Sequence, residues 1–270
     1  MELHLKDKVV LITGGTTGIG KATALEFLKE GAQVAVCSRS EAKIDAFLAE
    51  ANAEGYSAVS AESVDVSDES QLRHFIEKVG STYGKIDILF NNAGKGHMSY
   101  LTQLDRDSWD SVIDTNLTAI WLCAKYSFPY MKREGGCILS TTSLAARIAT
   151  TSIGAYAVSK SGVSAITKLL ASELAPYKIR VNAVSPGVIE SEMVRDTILK
   201  TKGLPYLCHT AVMQRLGTAE EVAKPVVFLA SDCASFITGE VLDISGGKFI
   251  VQDPWAPWED FQIPEPFKED

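Results

Sequence analysis

Residues 8–20 read KVVLITGGTTGIG. Val9 to Thr13 form an apolar, β-rich run without alternation, as expected of a strand covered on both faces. Glycines follow at 14, 18 and 20, and a helical pattern runs from about Gly18 to Lys29. The glycines let the backbone turn tightly and come close to a ligand. The helix start offers free N–H groups and a positive dipole end to a phosphate. The alternative is a plain strand-to-helix turn. A P-loop is excluded, since no Gly-Lys-Ser/Thr follows.

The same order repeats outward. QVAVCS precedes a helix near Glu41–Ala53, and SAVSAESVDV one near Asp68–Tyr83. IDILFNNAG leads through a loop to a long helix near Ser108–Lys132. GCILSTTS precedes the helix that carries Tyr156, and IRVNAVSPG, a helix near Glu220–Ala230 and EVLDISGG complete the pattern. Buried strands that alternate with helices predict an α/β domain: a Rossmann-type, doubly wound parallel sheet of about seven strands. No Gly-, Pro- or Ser-rich linker interrupts residues 1–252, so one domain is expected there. Residues 253–270 carry four prolines and two tryptophans and match neither period, which predicts a non-regular tail.

The 270 residues are 46% apolar and 22% charged, as in a soluble globular protein. The net charge is −8 and no long basic run occurs, which argues against nucleic acid or an anionic membrane as partner. No apolar run approaches the roughly 20 residues that span a bilayer. The opening residues lack a signal peptide's apolar core, so a cytoplasmic location is expected. Five scattered cysteines (Cys37, Cys123, Cys137, Cys208, Cys233) fit small buried hydrophobes in a reducing compartment. No His, Cys and carboxylate spacing suits a metal.

Six positions draw chemical attention. In GAYAVSKSG, Tyr156 and Lys160 stand four apart and face the same way on a helix. Such pairs also arise by chance on solvated helix faces. An ammonium ~4 Å from a phenol supplies ~4 kcal/mol at an effective dielectric of ~20, enough to bring tyrosine toward neutrality in a shielded pocket. Ser143 ends a strand thirteen residues earlier, where its hydroxyl could hold a carbonyl oxygen. Asn116 lies inside an apolar helical stripe and needs a partner there, either structural or a catalytic water. At the end of the second strand stand Ser38 and Arg39, where an acidic residue would repel a ribose 2′-phosphate. A short hydroxyl and a guanidinium favour NADP(H), with NAD(H) as the alternative.

TGGTTGIG, NNAG (Asn91–Gly94), Asn116, Ser143, YAVSK and SPG (Ser185–Gly187) occur together and in order. Over about residues 6–250 the chain resembles the compact, single-domain branch of the short-chain dehydrogenase/reductase family. The resemblance implies an NAD(P)(H)-dependent oxidoreductase that interconverts a secondary alcohol and a ketone. It implies Tyr156 as general acid and base, with Lys160 lowering its pKa and holding the nicotinamide ribose. Ser143 would orient the substrate oxygen, and Asn116 would keep a water in a proton path to Lys160. Gly14, Thr16, Thr17, Gly18, Ile19 and Gly20 would cradle the diphosphate, and Asp65 and Val66 would border the adenine. Asn92, Ala93 and Gly94 would wall the ribose. Pro186, Gly187, Ile189 and Ser191 would face the nicotinamide. Ser191 stands where threonine is usual, and Ser245 where aspartate is commoner. The small neighbours of Tyr156 would keep cofactor and substrate within reach.

The resemblance also places a mobile substrate loop at about 190–217. Its Met193, Ile198, Leu199, Tyr206 and Leu207 suggest an apolar cover over a lipophilic ketone, or internal packing. Lys95, His97 and Arg147 could reach a polar substituent, or are solvated charge. Members commonly assemble as homotetramers, or dimers, through the helices near 108–132 and 154–175, and the 253–270 tail would then meet a neighbour. A non-catalytic nucleotide-binding sensor or scaffold is the competing reading. An epimerase or dehydratase of the longer branch is disfavoured by the T-G-x-x-x-G-x-G spacing.

Overall fold

The structure, a computed structural model, describes residues 2–148, 151–191, 194, 203–248 and 250. The tail, and Met193, Ile198 and Leu199 of the expected cover, lie outside the described residues.

Seven parallel strands stand in the order β3-β2-β1-β4-β5-β6-β7. They are β1 Val9–Thr13, β2 Gln33–Ser38, β3 Val59–Ser63, β4 Ile88–Asn91, β5 Gly136–Thr141, β6 Ile179–Pro186 and β7 Val241–Ile244. The helices are α1 Gly18–Lys29, α2 Glu41–Ala53, α3 Glu69–Tyr83, α4 Arg106–Ile113, α5 Ala119–Met131, α6 Gly154–Leu174, α7 Leu204–His209 and α8 Ala219–Ala230. The expected architecture is therefore present. Every residue of β1 is buried, which is why it reads as an unbroken apolar run. Its Val10 and Ile12 enter one core with Phe27 of α1, Phe47 of α2 and Val226 of α8. Its Val9 and Leu11 enter the other, with Phe75 of α3, Leu122 of α5 and Ala171 of α6. Alternate side chains of one strand thus feed the two layers.

Local signals set the helix ends. Asp68 caps α3 by accepting from the backbone N–H groups of Ser70 and Gln71, and Gly84 ends that helix at φ 73°. Thr218 and Glu221 form a reciprocal capping box on α8. The long helix expected near Ser108–Lys132 is not continuous: a π-helical turn, Asp114–Thr118, separates α4 from α5. Apolar spacing alone did not show it. Thr115 Oγ1 donates back to the Ser111 carbonyl across 2.8 Å, a bond of the kind that bends helices. The short helix α7 also lies in a stretch expected to be loop.

Three cysteines are buried as expected, and burial pushes the Cys37 thiol up to about 12 and Cys137 up to about 11. Cys233 departs from the expectation: it is exposed, with its Sγ 3.5 Å from the Glu2 carbonyl oxygen. Among the described residues no helix is long and apolar enough to cross a membrane. Strand order reverses between β1 and β4, so the crevice of a doubly wound sheet opens at their carboxyl ends.

Candidate active site

The turn after β1 is shaped by what its glycines lack. A Cβ on Gly14 would sit 2.9 Å from Ala93 Cα, and one on Gly20 would collide with the Gly14 carbonyl oxygen. A Cβ on Gly15, which the sequence did not single out, would meet Val36 Cβ at 2.5 Å. Gly14 and Gly20 bring backbone segments together, and Gly15 makes room for the Val36 side chain. Gly18 differs: its φ is 53° and no heavy atom lies within 4 Å of its would-be Cβ. Thr17 precedes α1 without capping it, and no carboxylate occupies the helix's first turn. Thr16 is buried, and Ile19 packs against the core while its carbonyl accepts from Thr23. An uncapped helix start beside an open glycine fits a diphosphate.

At the end of β2, Ser38 is half-buried and Arg39 is exposed. Arg39 makes no ion pair with any described residue, yet its charge is felt by Asp65 beyond β3. Burial pushes Asp65 upward. Its hydrogen bonds from Ser67 and the charges of Arg39 and Lys95 more than offset this, so it titrates below the usual carboxylate range. Val66 next to it is buried.

The NNAG segment is tied inward. Thr13 Oγ1 accepts from the Asn92 and Ala93 amides, both at 3.1 Å. The Asn92 side chain donates to the Gly14 carbonyl at 3.0 Å and accepts from Thr141 Oγ1 at 3.3 Å. The Asn92 side chain is thus held by protein at both of its polar ends. A Cβ on Gly94 would lie 3.5 Å from both Asn116 Oδ1 and Lys160 Nζ, so this loop lies against both groups.

Asn116 sits in the π-helical turn and is fully buried. Its Oδ1 accepts from the Lys95 amide at 2.8 Å, and its Nδ2 donates to the Lys95 carbonyl at 2.9 Å and to Ser159 Oγ at 3.1 Å. Of the two partners considered for this amide, the structural one is found: both amide protons and one lone pair are committed to protein.

The end of β5 grips α6 residue by residue. The Thr141 carbonyl accepts from Lys160 Nζ at 2.7 Å. Thr142 Oγ1 donates to the Lys160 carbonyl at 2.7 Å. Ser143 Oγ accepts from the Ala145 amide at 3.2 Å, and its hydroxyl lies near enough to Tyr156 to act on the phenol's titration. Tyr156 and Lys160 do face one another, with Nζ 5.8 Å from the phenol ring centroid. Lys160 is only 3% exposed, and burial pulls its ammonium down to about 8. Burial also raises Tyr156, and Ser143 opposes the rise without cancelling it. The expected depression of the phenol is not seen: the Lys160 ammonium donates to the Thr141 carbonyl, and desolvation of the phenolate, opposed only by Ser143, holds Tyr156 above its ordinary value. Tyr156 is half-buried, whereas Lys160 beside it is buried.

The small residues around this pair also need correction. A Cβ on Gly154 would meet Leu101 Cδ2 at 2.5 Å, and one on Gly162 would meet Leu117 Cδ2 at 2.6 Å. Their space is taken by leucines, not left to ligands.

A family model described as enoyl-(acyl carrier protein) reductase matches residues 14–248. The chain belongs to the short-chain dehydrogenase/reductase family. It is 40% identical over 250 residues to a Thermotoga maritima 3-oxoacyl-[acyl-carrier-protein] reductase, FabG, covering 92% of this chain and all of that one. It is 35% identical over 249 residues to a 3α-hydroxysteroid dehydrogenase of Mediterraneibacter gnavus, covering 91% and 98%. A crystal structure of gox2181 superposes with a TM-score of 0.86 at 29% identity, covering 91% of this chain and 96% of that one. A Serratia marcescens short-chain dehydrogenase/reductase does so at 0.84 and 32%, covering 90% and 98%. As a member, the chain is an NAD(P)(H)-dependent oxidoreductase acting between ketones and secondary alcohols.

In this short-chain dehydrogenase/reductase, Pro186 and Gly187 leave β6 toward the crevice, with the Gly187 amide on the Ile244 carbonyl at 2.9 Å. Ile189 is buried and bridges to Gly217, and Ser191 Oγ accepts from the Val194 amide at 3.3 Å. Leu207 is 2% exposed and belongs to internal packing, whereas Tyr206 is 49% exposed. Lys95 Nζ donates to Ser111 Oγ at 2.5 Å, and Arg147 pairs with Asp243, so both cations have protein partners. Sequence reading missed Thr13, Thr141, Thr142 and Ser159. Ser159 alone carried a signal, as a polar residue on the buried side of the Tyr156 helix.

Proposed function

We propose that this enzyme is an NADP(H)-dependent reductase of a lipophilic ketone, with Tyr156 as proton donor. The carrying observation is Lys160, buried beneath the Tyr156 ring with its Nζ 5.8 Å from the ring centroid, while Ser143 opposes the burial-driven rise of the same phenol. Gly14, Thr16, Thr17, Gly18, Ile19 and Gly20 would hold the diphosphate. Ser38 and Arg39 would take the 2′-phosphate, with Asp65 and Val66 at the adenine. The backbone of Asn92, Ala93 and Gly94, with Pro186, Gly187, Ile189 and Ser191, would line the nicotinamide half. The dihydronicotinamide, when bound, supplies the hydride. Ser143 Oγ hydrogen-bonds the substrate carbonyl oxygen and sets its distance from Tyr156. Tyr156 Oη delivers its proton to that oxygen as the carbonyl carbon is reduced, leaving a secondary alcohol. Burial keeps the phenol protonated, the form a general acid needs. Lys160, still largely charged below about pH 8, faces the phenolate that forms.

The two named relatives suggest the substrate range: 3-oxoacyl thioesters on one side and 3-oxosteroids on the other. We assign one domain to residues 1–252 with a substrate loop at 190–217, a cytoplasmic location and a homotetramer. Trp121 of α5 and Leu169 of α6, 49% and 61% exposed, support assembly through those helices. The experiment follows NADPH and NADH absorbance with both substrate classes and simple ketones. Turnover that prefers NADPH and vanishes in Tyr156→Phe supports the proposal. Cofactor binding without turnover on any of them favours the sensor or scaffold.

A further inference from the structure

Ser159 lies between the two proposed catalytic residues and is fully buried. Its hydroxyl donates to the Tyr156 carbonyl at 2.7 Å. That bond uses its single proton, so towards Asn116 Nδ2, 3.1 Å away, it presents only lone pairs. A hydroxyl that can only accept reinforces the Lys95 backbone in deciding which end of the Asn116 amide is nitrogen. The opposite end, Oδ1, then faces the Lys95 amide, and the remaining amide proton faces the Lys95 carbonyl. Both backbone polar groups of one residue in the loop after β4, the Lys95 N–H and C=O, are thereby held by one side chain. Next to Lys95, Gly94 rests against Asn116 and the Lys160 ammonium.

We propose that Ser159 is a positioning residue: its hydroxyl helps set the Asn116 amide and, through it, holds the Lys95 loop against the Tyr156–Lys160 turn. The catalytic consequence rests on the proposed function above; the clamp itself does not. Without the hydroxyl, one buried amide proton of Asn116 loses its acceptor, and the amide can rotate to seek another. The loop then wanders relative to Lys160, and alignment suffers more than ground-state binding.

The test compares Ser159→Ala, Ser159→Thr and wild type in two assays. Amide hydrogen exchange at Lys95, followed in the cofactor-free protein, should quicken about tenfold in Ser159→Ala and return to normal in Ser159→Thr. Turnover should fall about five- to tenfold in kcat in Ser159→Ala, with the KM for NADPH within about twofold, and recover in Ser159→Thr. In an Asn116→Ala background, Ser159→Ala should add no further exchange, because the clamp is already open. Unchanged Lys95 exchange in Ser159→Ala would overturn the clamp. Faster exchange with unchanged kcat, or a lower melting temperature alone, would overturn the positioning role. A wild type without turnover sinks the proposed reductase, while the exchange arm still decides the clamp.

Discussion

The two turns that meet in the crevice work in opposite ways. The turn after β1 presents backbone, an uncapped helix start and an open Gly18, and the exposed Arg39 follows the end of β2. The Tyr156–Lys160 turn presents side chains held in a dry setting, with Lys160 3% exposed and Asn116 and Ser159 wholly buried. The first site attracts charge across water and should feel salt. The second keeps its charge out of water and should feel pH instead. Binding and chemistry can therefore be damaged separately.

The sharpest separation is Tyr156→Phe. It removes the proton donor while the ring and its packing remain. We expect kcat to fall roughly a thousandfold, within the range for loss of a general acid, with NADPH affinity within about twofold. Equal losses in both quantities would mean that the two turns are not independent. The converse variant is Arg39→Asp. It should weaken NADPH binding by roughly ten- to a hundredfold, the scale of a charge-assisted hydrogen bond, and leave NADH and kcat nearly untouched. The wild-type advantage for NADPH should shrink between low and high salt. A salt-independent preference would place the 2′-phosphate contact elsewhere.

A smaller effect tests the buried charge. Because burial depresses Lys160 to about 8, it loses its proton as pH rises through that value, whereas Tyr156, raised by burial, stays protonated there. For reduction, kcat/KM, which reports the free enzyme, should decline by up to tenfold per pH unit above about 8. Lys160→Met should abolish that limb. The same shift acts on stability. An unfolded chain holds this proton up to about 10.5 and the folded one only to about 8. The unfolded state therefore binds more protons within that window, and stability should rise with pH across it, by roughly 3 kcal/mol. Relative to wild type, Lys160→Met should gain stability at pH 7 and lose that gain by pH 10 in urea titrations.

Much of this was legible in the sequence because strand burial and helical spacing leave periodic marks. β1 reads as a strand since all five residues are buried, and Tyr156 and Lys160 read as a pair since four residues make one turn. The misses are contacts without a period. Thr13 meets the Asn92 amide 79 positions away, and Thr142 meets the Lys160 carbonyl 18 away. The π-helical turn was hidden because an apolar stripe survives one widened turn. Tyr156 was misjudged because four-residue spacing gives a shared face but says nothing of where an ammonium turns once it is buried.

Glycine shows the same ambiguity, and it separates the two turns at the smallest scale. In the first turn Gly18 has open space around it, where we propose the cofactor's diphosphate. Gly18→Ala adds a methyl into open space at a φ of 53°, costing about 1–2 kcal/mol of backbone strain and lowering cofactor affinity. In α6, Gly162 is small for Leu117, whose Cδ2 a new Cβ would meet at 2.6 Å. Alanine in a helix gains about 1 kcal/mol over glycine, but crowding a packed side chain costs about 1–3. Gly162→Ala should therefore lower stability by about 1 kcal/mol while NADPH affinity holds. The sign should reverse once the obstacle is removed: in a Leu117→Ala background the clash is gone, and Gly162→Ala should stabilise by up to about 1 kcal/mol in urea unfolding. If Gly162→Ala stabilises in both backgrounds, Leu117 does not fill that space, and the small residues of this helix would again have to be explained by a ligand.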